Sequence, residues 1–170
     1  MKVDIEYNLT EIRRLAKRYP EITLDETEKV LDKVVRRLEG KVVEKTPKGV
    51  SAQGGLSGSI HGEVVSFGMP VKAVVGTPLK YGEVIEHGRR PGKAMPPVEP
   101  IAKWARSILG ITDAKEARSV GFAIARKIAV KGFEGAHMFE EAWKENEKWA
   151  QDQLRTIPKR VIRRLESGPN

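Results

Sequence analysis

The feature that most constrains this chain is a long helical stripe beginning near residue 23. Thr23 is followed three positions later by Glu26, the spacing at which an N-cap hydroxyl and a carboxylate satisfy each other's free backbone N–H groups. Apolar side chains then recur at Leu24, Leu31, Val34, Val35, Leu38, Val42 and Val43, a rhythm of one helical face held over several turns. Asp32 and Arg36 stand four apart in the order that favours an ion pair. Gly40 weakens such a helix by about 1 kcal/mol relative to alanine, yet the stripe continues past it, and Pro47 ends it. A helix of this length with one apolar face must lay that face on another layer, which the rest of the chain has to supply.

Upstream, residues 8–18 form a short helix capped by Asn8 or Thr10, with Leu9, Ile12, Leu15 and Ala16 on one face and Tyr19-Pro20 as its stop. Residues 47–59 are rich in Gly and Ser and read as a flexible loop. The period then changes to alternation. Ile60, Gly62, Val64 and, with a slip, Phe67 make one strand, and Val71, Ala73 and Val75 make a second, with turns at Gly68-Met69-Pro70 and Gly76-Thr77-Pro78. Residues 81–87 read as a third strand or as a short helix, and 88–97 as a loop. A helix over 98–109 closes at Gly110. The next is capped by Thr112 or Asp113 and runs to about Val130, with Ala117, Val120, Ile124 and Ile128 inward. Gly132 and Gly135 bracket a turn before a helix over 137–155, and Pro158 separates a last, peripheral helix at 156–167. That helix sets Ile157, Val161, Ile162 and Leu165 against Lys159, Arg160, Arg163 and Arg164. The expected class is α+β: one domain over 1–170, with a small antiparallel sheet packed by the long N-terminal helix and followed by several C-terminal helices.

Several functional classes find no support. No run approaches the roughly 20 apolar residues of a membrane span, and the first residues lack the apolar core of a signal peptide, so synthesis in the cytoplasm is expected. Without cysteine there are no thiolate ligands, disulfides or thiol nucleophile. The glycines of 49–58 follow a helix, precede a strand and lack the closing Lys-Ser/Thr, which is the wrong context for a phosphate loop. His61, His87 and His137 share no metal-ligand spacing. No nucleophile elbow surrounds a serine. Glu83 and Glu86 read as a polar face, and Trp104, Trp143 and Trp149 as core or interface anchors. The reading is therefore no enzyme, no catalytic residue, no cofactor and no metal. The net charge of +8 divides as +2, +1, +2 and +3 over residues 1–50, 51–100, 101–150 and 151–170, so only the C-terminus is concentrated.

The order of short motifs resembles one known group. A long amphipathic helix ends at Thr46-Pro47, and Gly55-Leu56-Ser57-Gly58-Ser59-Ile60 leads into the first strand. Ala73-Val74-Val75-Gly76-Thr77 ends the second, and Tyr81-Gly82-Glu83-Val84-Ile85-Glu86-His87-Gly88 follows. Pro96-Pro97 leads to Gly132-Phe133-Glu134-Gly135-Ala136-His137-Met138-Phe139-Glu140-Glu141-Ala142. Over residues 24–145 this is similar to the tail-component family of tailed bacteriophages, which includes neck, head–tail joining and tail-completion proteins of lambdoid-type long-tailed phages. Ser57 stands where arginine is common in that family and Gly82 where alanine is common, and the last twenty residues match no motif of it.

The resemblance implies a structural virion protein, made in the host cytoplasm, that forms a homo-oligomeric ring joining the tail to the DNA-filled head. Its partners would be neighbouring neck and tail proteins, with no membrane partner. An assembly loop at Gly54, Gly55, Leu56, Ser57 and Gly58 would order on a neighbouring subunit. Arg89, Arg90 and Lys93, or the basic final helix, would face genomic DNA in the lumen, or else form a solvated rim against acidic neighbours. Three alternatives stand beside this. They are another minor tail or tail-terminator protein, a free non-specific DNA-binding protein, and a small hydrolase built on the 81–87 carboxylates and His87.

Overall fold

The computed structural model describes residues 10–48, 55–66 and 70–167. Asn8, Leu9, Gly54, Phe67 and the Gly68-Met69 part of the expected turn lie outside the described residues. The chain is α+β, with a long N-terminal helix, a small two-stranded antiparallel sheet and C-terminal helices. The elements are α1 (Thr10–Arg18), α2 (Pro20–Lys45), α3 (Gly55–Gly58), β1 (His61–Val65), β2 (Lys72–Gly76), α4 (Tyr81–His87), β3 (Gly88–Arg89), α5 (Val98–Ile108), α6 (Ala114–Lys131), β4 (Phe133–Glu134), α7 (Met138–Leu154) and α8 (Ile157–Glu166). They fall into two compact units: Met1–Val42 with His61–Gly76 and Glu140–Asn170, and Val43–Ile60 with Thr77–Phe139.

In the first unit the apolar stripe of α2 meets its partners. Val30 and Leu31 join Ile12 and Leu15 of α1, Leu154 of α7, and Ile157 and Val161 of α8 in one buried cluster, with Val64 and Ala73 of the β1–β2 hairpin packed against it. The hairpin pairs His61 with Gly76 through Val65 with Lys72, and the Gly62 N–H donates to Glu39 Oε2 of α2 at 2.8 Å. The last helix, expected at the periphery, puts Ile157 and Val161 at the centre of this core, 1% and 0% exposed.

The capping box expected at Thr23 does not form. The helix starts three residues earlier, at Pro20, because proline fits the first turn, where its missing N–H would have no partner anyway. Thr23 is thereby drawn into the helix interior. Its backbone N–H reaches the Tyr19 carbonyl, its carbonyl accepts from Thr27 Oγ1 at 2.6 Å, and its own buried hydroxyl has no hydrogen-bond partner. Glu26 is released from capping and turns instead to α8.

In the second unit α5 and α6 pack as a helical hairpin. Leu109 closes α5 and Gly110 leaves it in the left-handed region at φ +68, while Asp113 caps α6 by accepting from the Glu116 N–H at 2.7 Å. The seam is made of small residues: Ala102, Ala105, Ala117, Gly121 and Ala125 are all buried. A Cβ on Gly121 would lie 2.9 Å from the Ala102 nitrogen, so the two backbones meet there. Val120, Ile124 and Ile128, expected inward, are only half-buried, because helix axes this close leave room in the seam only for alanine and glycine. Residues 81–87, open between strand and helix in sequence, form α4, and the expected loop at 88–97 opens with β3, paired to β4.

Candidate functional site

The segments around β3 and β4 are tied into a knot within the second unit. Gly88 pairs with Glu134 and Arg89 with Phe133. The Ala136 N–H donates to the Ile85 carbonyl at 2.8 Å and the His137 N–H to the Glu86 carbonyl at 3.1 Å. Glu86 is fully buried, and its Oε2 accepts from the Phe139 N–H at 3.0 Å. A carboxylate placed there caps the start of α7 and complements the positive end of its dipole. The sequence reading of Glu83 and Glu86 as one polar face is thus corrected: Glu83 is exposed, and Glu86 is a buried cap. Gly132 makes the turn possible. It sits at φ +66, and a Cβ there would lie 2.1 Å from the Arg89 carbonyl oxygen.

The residues proposed for an assembly loop lie next to this knot in the same unit. Gly55, Leu56, Ser57 and Gly58 form the helical turn α3 rather than open loop, with Leu56 buried. Ser59 Oγ shares a 2.7 Å hydrogen bond with Thr77 Oγ1 and donates to the Leu56 carbonyl. Of the three basic residues singled out, Arg90 and Lys93 are exposed, whereas Arg89 is half-buried in β3. The Arg89 guanidinium donates to the Ala94 carbonyl, and its Nε is buried without a partner. Arg89 therefore shapes the 89–94 loop, and Arg90 and Lys93 carry its accessible charge.

The basic last helix behaves differently from the loop. Glu26 accepts from Arg160 Nε at 2.8 Å and Arg164 NH1 at 3.2 Å, and Asp25 also pairs with Arg164. Burial pushes the Glu26 carboxyl up, but the hydrogen bond and charge of Arg160, helped by Lys29, outweigh it and hold the group below its ordinary range. Half of the four cations expected to face DNA from this helix are thus engaged with α2. The cations on α2 itself are also occupied. Arg37 donates to buried Asn146 at 2.9 Å and lies 4.3 Å from the Trp149 ring centre, and Lys33 donates to Gln153 at 2.8 Å. Trp149 anchors α7 to α2 by this cation–π contact.

Free positive charge is concentrated elsewhere. Between Gly88 and Lys131 there are ten Lys/Arg and three Asp/Glu, a net +7 out of +8 for the whole chain. The three acids, Glu99, Asp113 and Glu116, all belong to helix starts. Among the described residues the ion pair recorded in this stretch is Arg118–Glu99 at 3.2 Å, with both side chains mostly exposed. The sequence reading missed this concentration because fixed blocks split it at residue 100 and diluted it with the acidic run 134–147, which holds five Glu and one Lys. A window running from β3 to the end of α6 would have found it. Among the described residues no group of three or more His, Asp or Glu side chains is placed to hold a metal. The three histidines are exposed and lie on different segments. No protein-family model, curated protein sequence or solved structure matches this chain.

Proposed function

We propose that the chain is a structural subunit of a tailed-phage particle, working in the head–tail neck or tail-completion region as part of a ring that joins the tail to the DNA-filled head. The observation that carries this reading is the convergence of the motifs behind the resemblance. Segments far apart in sequence touch one another: Ser59 meets Thr77, Gly88-Arg89 pairs with Phe133-Glu134, and Glu86 caps at Phe139. A second support is surface chemistry. A ring contact is heterologous, with one patch meeting a different patch on the next copy. Away from the outer face of α6, the second unit exposes Tyr81, Met95, Ile108 and Leu109 to solvent, each at 44% or more, and large apolar side chains left this open suit contact with neighbours.

On this reading the role is assembly rather than catalysis. The partners are further copies of the chain and adjoining neck or tail proteins, and the place of action is the virion. The turn Gly55–Gly58 and the stretch leading into it serve neighbour contact, while Arg90 and Lys93 face the channel. A minor tail or tail-terminator position is the same reading at a different level of the particle. A free non-specific DNA-binding protein is the second reading, favoured by the +7 of residues 88–131.

Quantitative mass spectrometry of purified tailed particles tests the proposal. A fixed copy number on the order of a dozen or fewer per particle, as a closed ring requires, is expected. Absence from particles while the protein is abundant in the lysate would overturn it.

A further inference from the structure

We infer that the outer face of α6 is a docking surface for the phosphate backbone of duplex DNA, and the main one in this chain. The exposed positions of α6 run 114–116, 118–119, 122–123, 126–127 and 130–131, one broad helical face that holds Glu116 in its first turn and Phe122 and Val130 among its cations. Lys115, Arg118, Arg126, Lys127 and Lys131 occupy it, with no acid after Glu116. At 1.5 Å per residue the cations span about 24 Å, against one duplex phosphate charge per roughly 1.7 Å of axis. The face is rigid because α6 is locked backbone to backbone on α5 at Gly121. Among the described residues Arg118 is the one cation of this face that joins an ion pair, with Glu99, and that pair is too exposed to hold it strongly.

Two observations favour phosphate over a protein partner. Three of the five cations are lysines, a residue depleted from protein–protein interfaces but suited to phosphate as a point charge. The face also carries five cations against one acid, Glu116, spread along the whole helix, as an extended polyanion requires. The reading above enters only in saying where the duplex comes from, namely the channel. The face itself stands on charge and geometry.

The test uses the purified full chain and a short labelled duplex, with affinity measured across a salt series. Wild type is expected to bind at low salt with a steep salt slope. The variant Arg118→Gln/Arg126→Gln/Lys127→Gln/Lys131→Gln should bind at least tenfold more weakly and lose up to about 3.6 from the slope, near 0.9 for each of four phosphate contacts. Lys159→Gln/Arg163→Gln on α8 should change affinity less than threefold. The exchanges Arg126→Lys and Lys127→Arg should retain affinity, since charge rather than fork geometry is used. Circular dichroism checks that each variant is folded, and Arg126→Gln/Lys127→Gln serves if the fourfold variant is not. No binding by wild type at low salt, or equal losses from the α6 and α8 variants, would overturn the inference. Tighter binding to polyglutamate or to anionic vesicles than to DNA would also overturn it, in favour of an acidic protein or a lipid surface. DNA binding by a chain absent from particles would sink the virion reading and leave this one standing.

Discussion

The two compact units divide the charged residues unequally. The first holds eighteen Lys/Arg and sixteen Asp/Glu, and the second thirteen and seven. In the first, cations reach across helices to a carboxylate, an amide or a ring: Arg160 and Arg164 to Glu26, and Arg37 to Asn146 and Trp149. In the second, the α5–α6 hairpin closes on alanine and glycine, and its cations point away from the seam. Their burial differs in the same sense. Branched side chains fill the first core, whereas among the described residues seven of the eight exposed large hydrophobics belong to the second unit. Charge therefore fastens helices in one unit and stays at the surface in the other. Similar residue types serve either end, depending on whether an opposite charge lies within reach.

The largest expected effect separates the units by backbone strain. Gly132→Val forces a branched residue into φ +66 and against the Arg89 carbonyl. A loss of about 3 kcal/mol or more is expected. Hydrogen exchange should accelerate over 85–90 and 132–139 while α1 and α8 keep their protection; uniform acceleration would erase the distinction. Next is Ile157→Ala, which opens a cavity in the first core, at a cost of about 2–4 kcal/mol by chemical denaturation. A cost under about 0.5 kcal/mol would return α8 to the periphery.

Glu26→Gln tests the charged fastening and is expected to cost about 1–2 kcal/mol near neutral pH. The folded carboxyl sits below its ordinary range. Its stabilisation is therefore complete above the unfolded value, roughly 4.3, and is lost as pH falls through the folded value. Denaturation midpoints of wild type and variant should converge on acidification through that window, and parallel curves would show that Glu26 contributes no such linkage. The smallest effect is expected for Arg126→Gln/Lys127→Gln, whose thermal midpoint should match wild type. A clear drop would mean that the second unit also uses these charges internally.

Much of this was legible in the residues. The α2 stripe, the β1–β2 alternation, the Asp113 cap and the Gly110 stop each rest on contacts within a few residues. The misread positions share another cause. Thr23 and Glu26 have the spacing of a capping box, but Pro20 started the helix earlier and Glu26 found arginines 134 and 138 residues away. Glu86 looked like half of a surface pair until the 132–139 segment arrived to be capped by it. Ala117 is inward as expected, but Val120, Ile124 and Ile128 are not its companions, because the seam continues one position over, on Gly121 and Ala125. The α6 cations needed no structure to count, only the right segment over which to count them.

By itself the sequence determined the longer helices, the β1–β2 hairpin, the α+β class and the +8 charge, because periodicity, caps and breakers act through neighbours along the chain. Only the tertiary structure decided which charges are quenched. A cation's availability depends on whether a distant carboxylate is brought within a few ångströms, and chain order does not encode that distance. Arg160 and Arg164 were thereby committed to Glu26, while Arg126, Lys127 and Lys131, no more basic in sequence, were left on an open helix face.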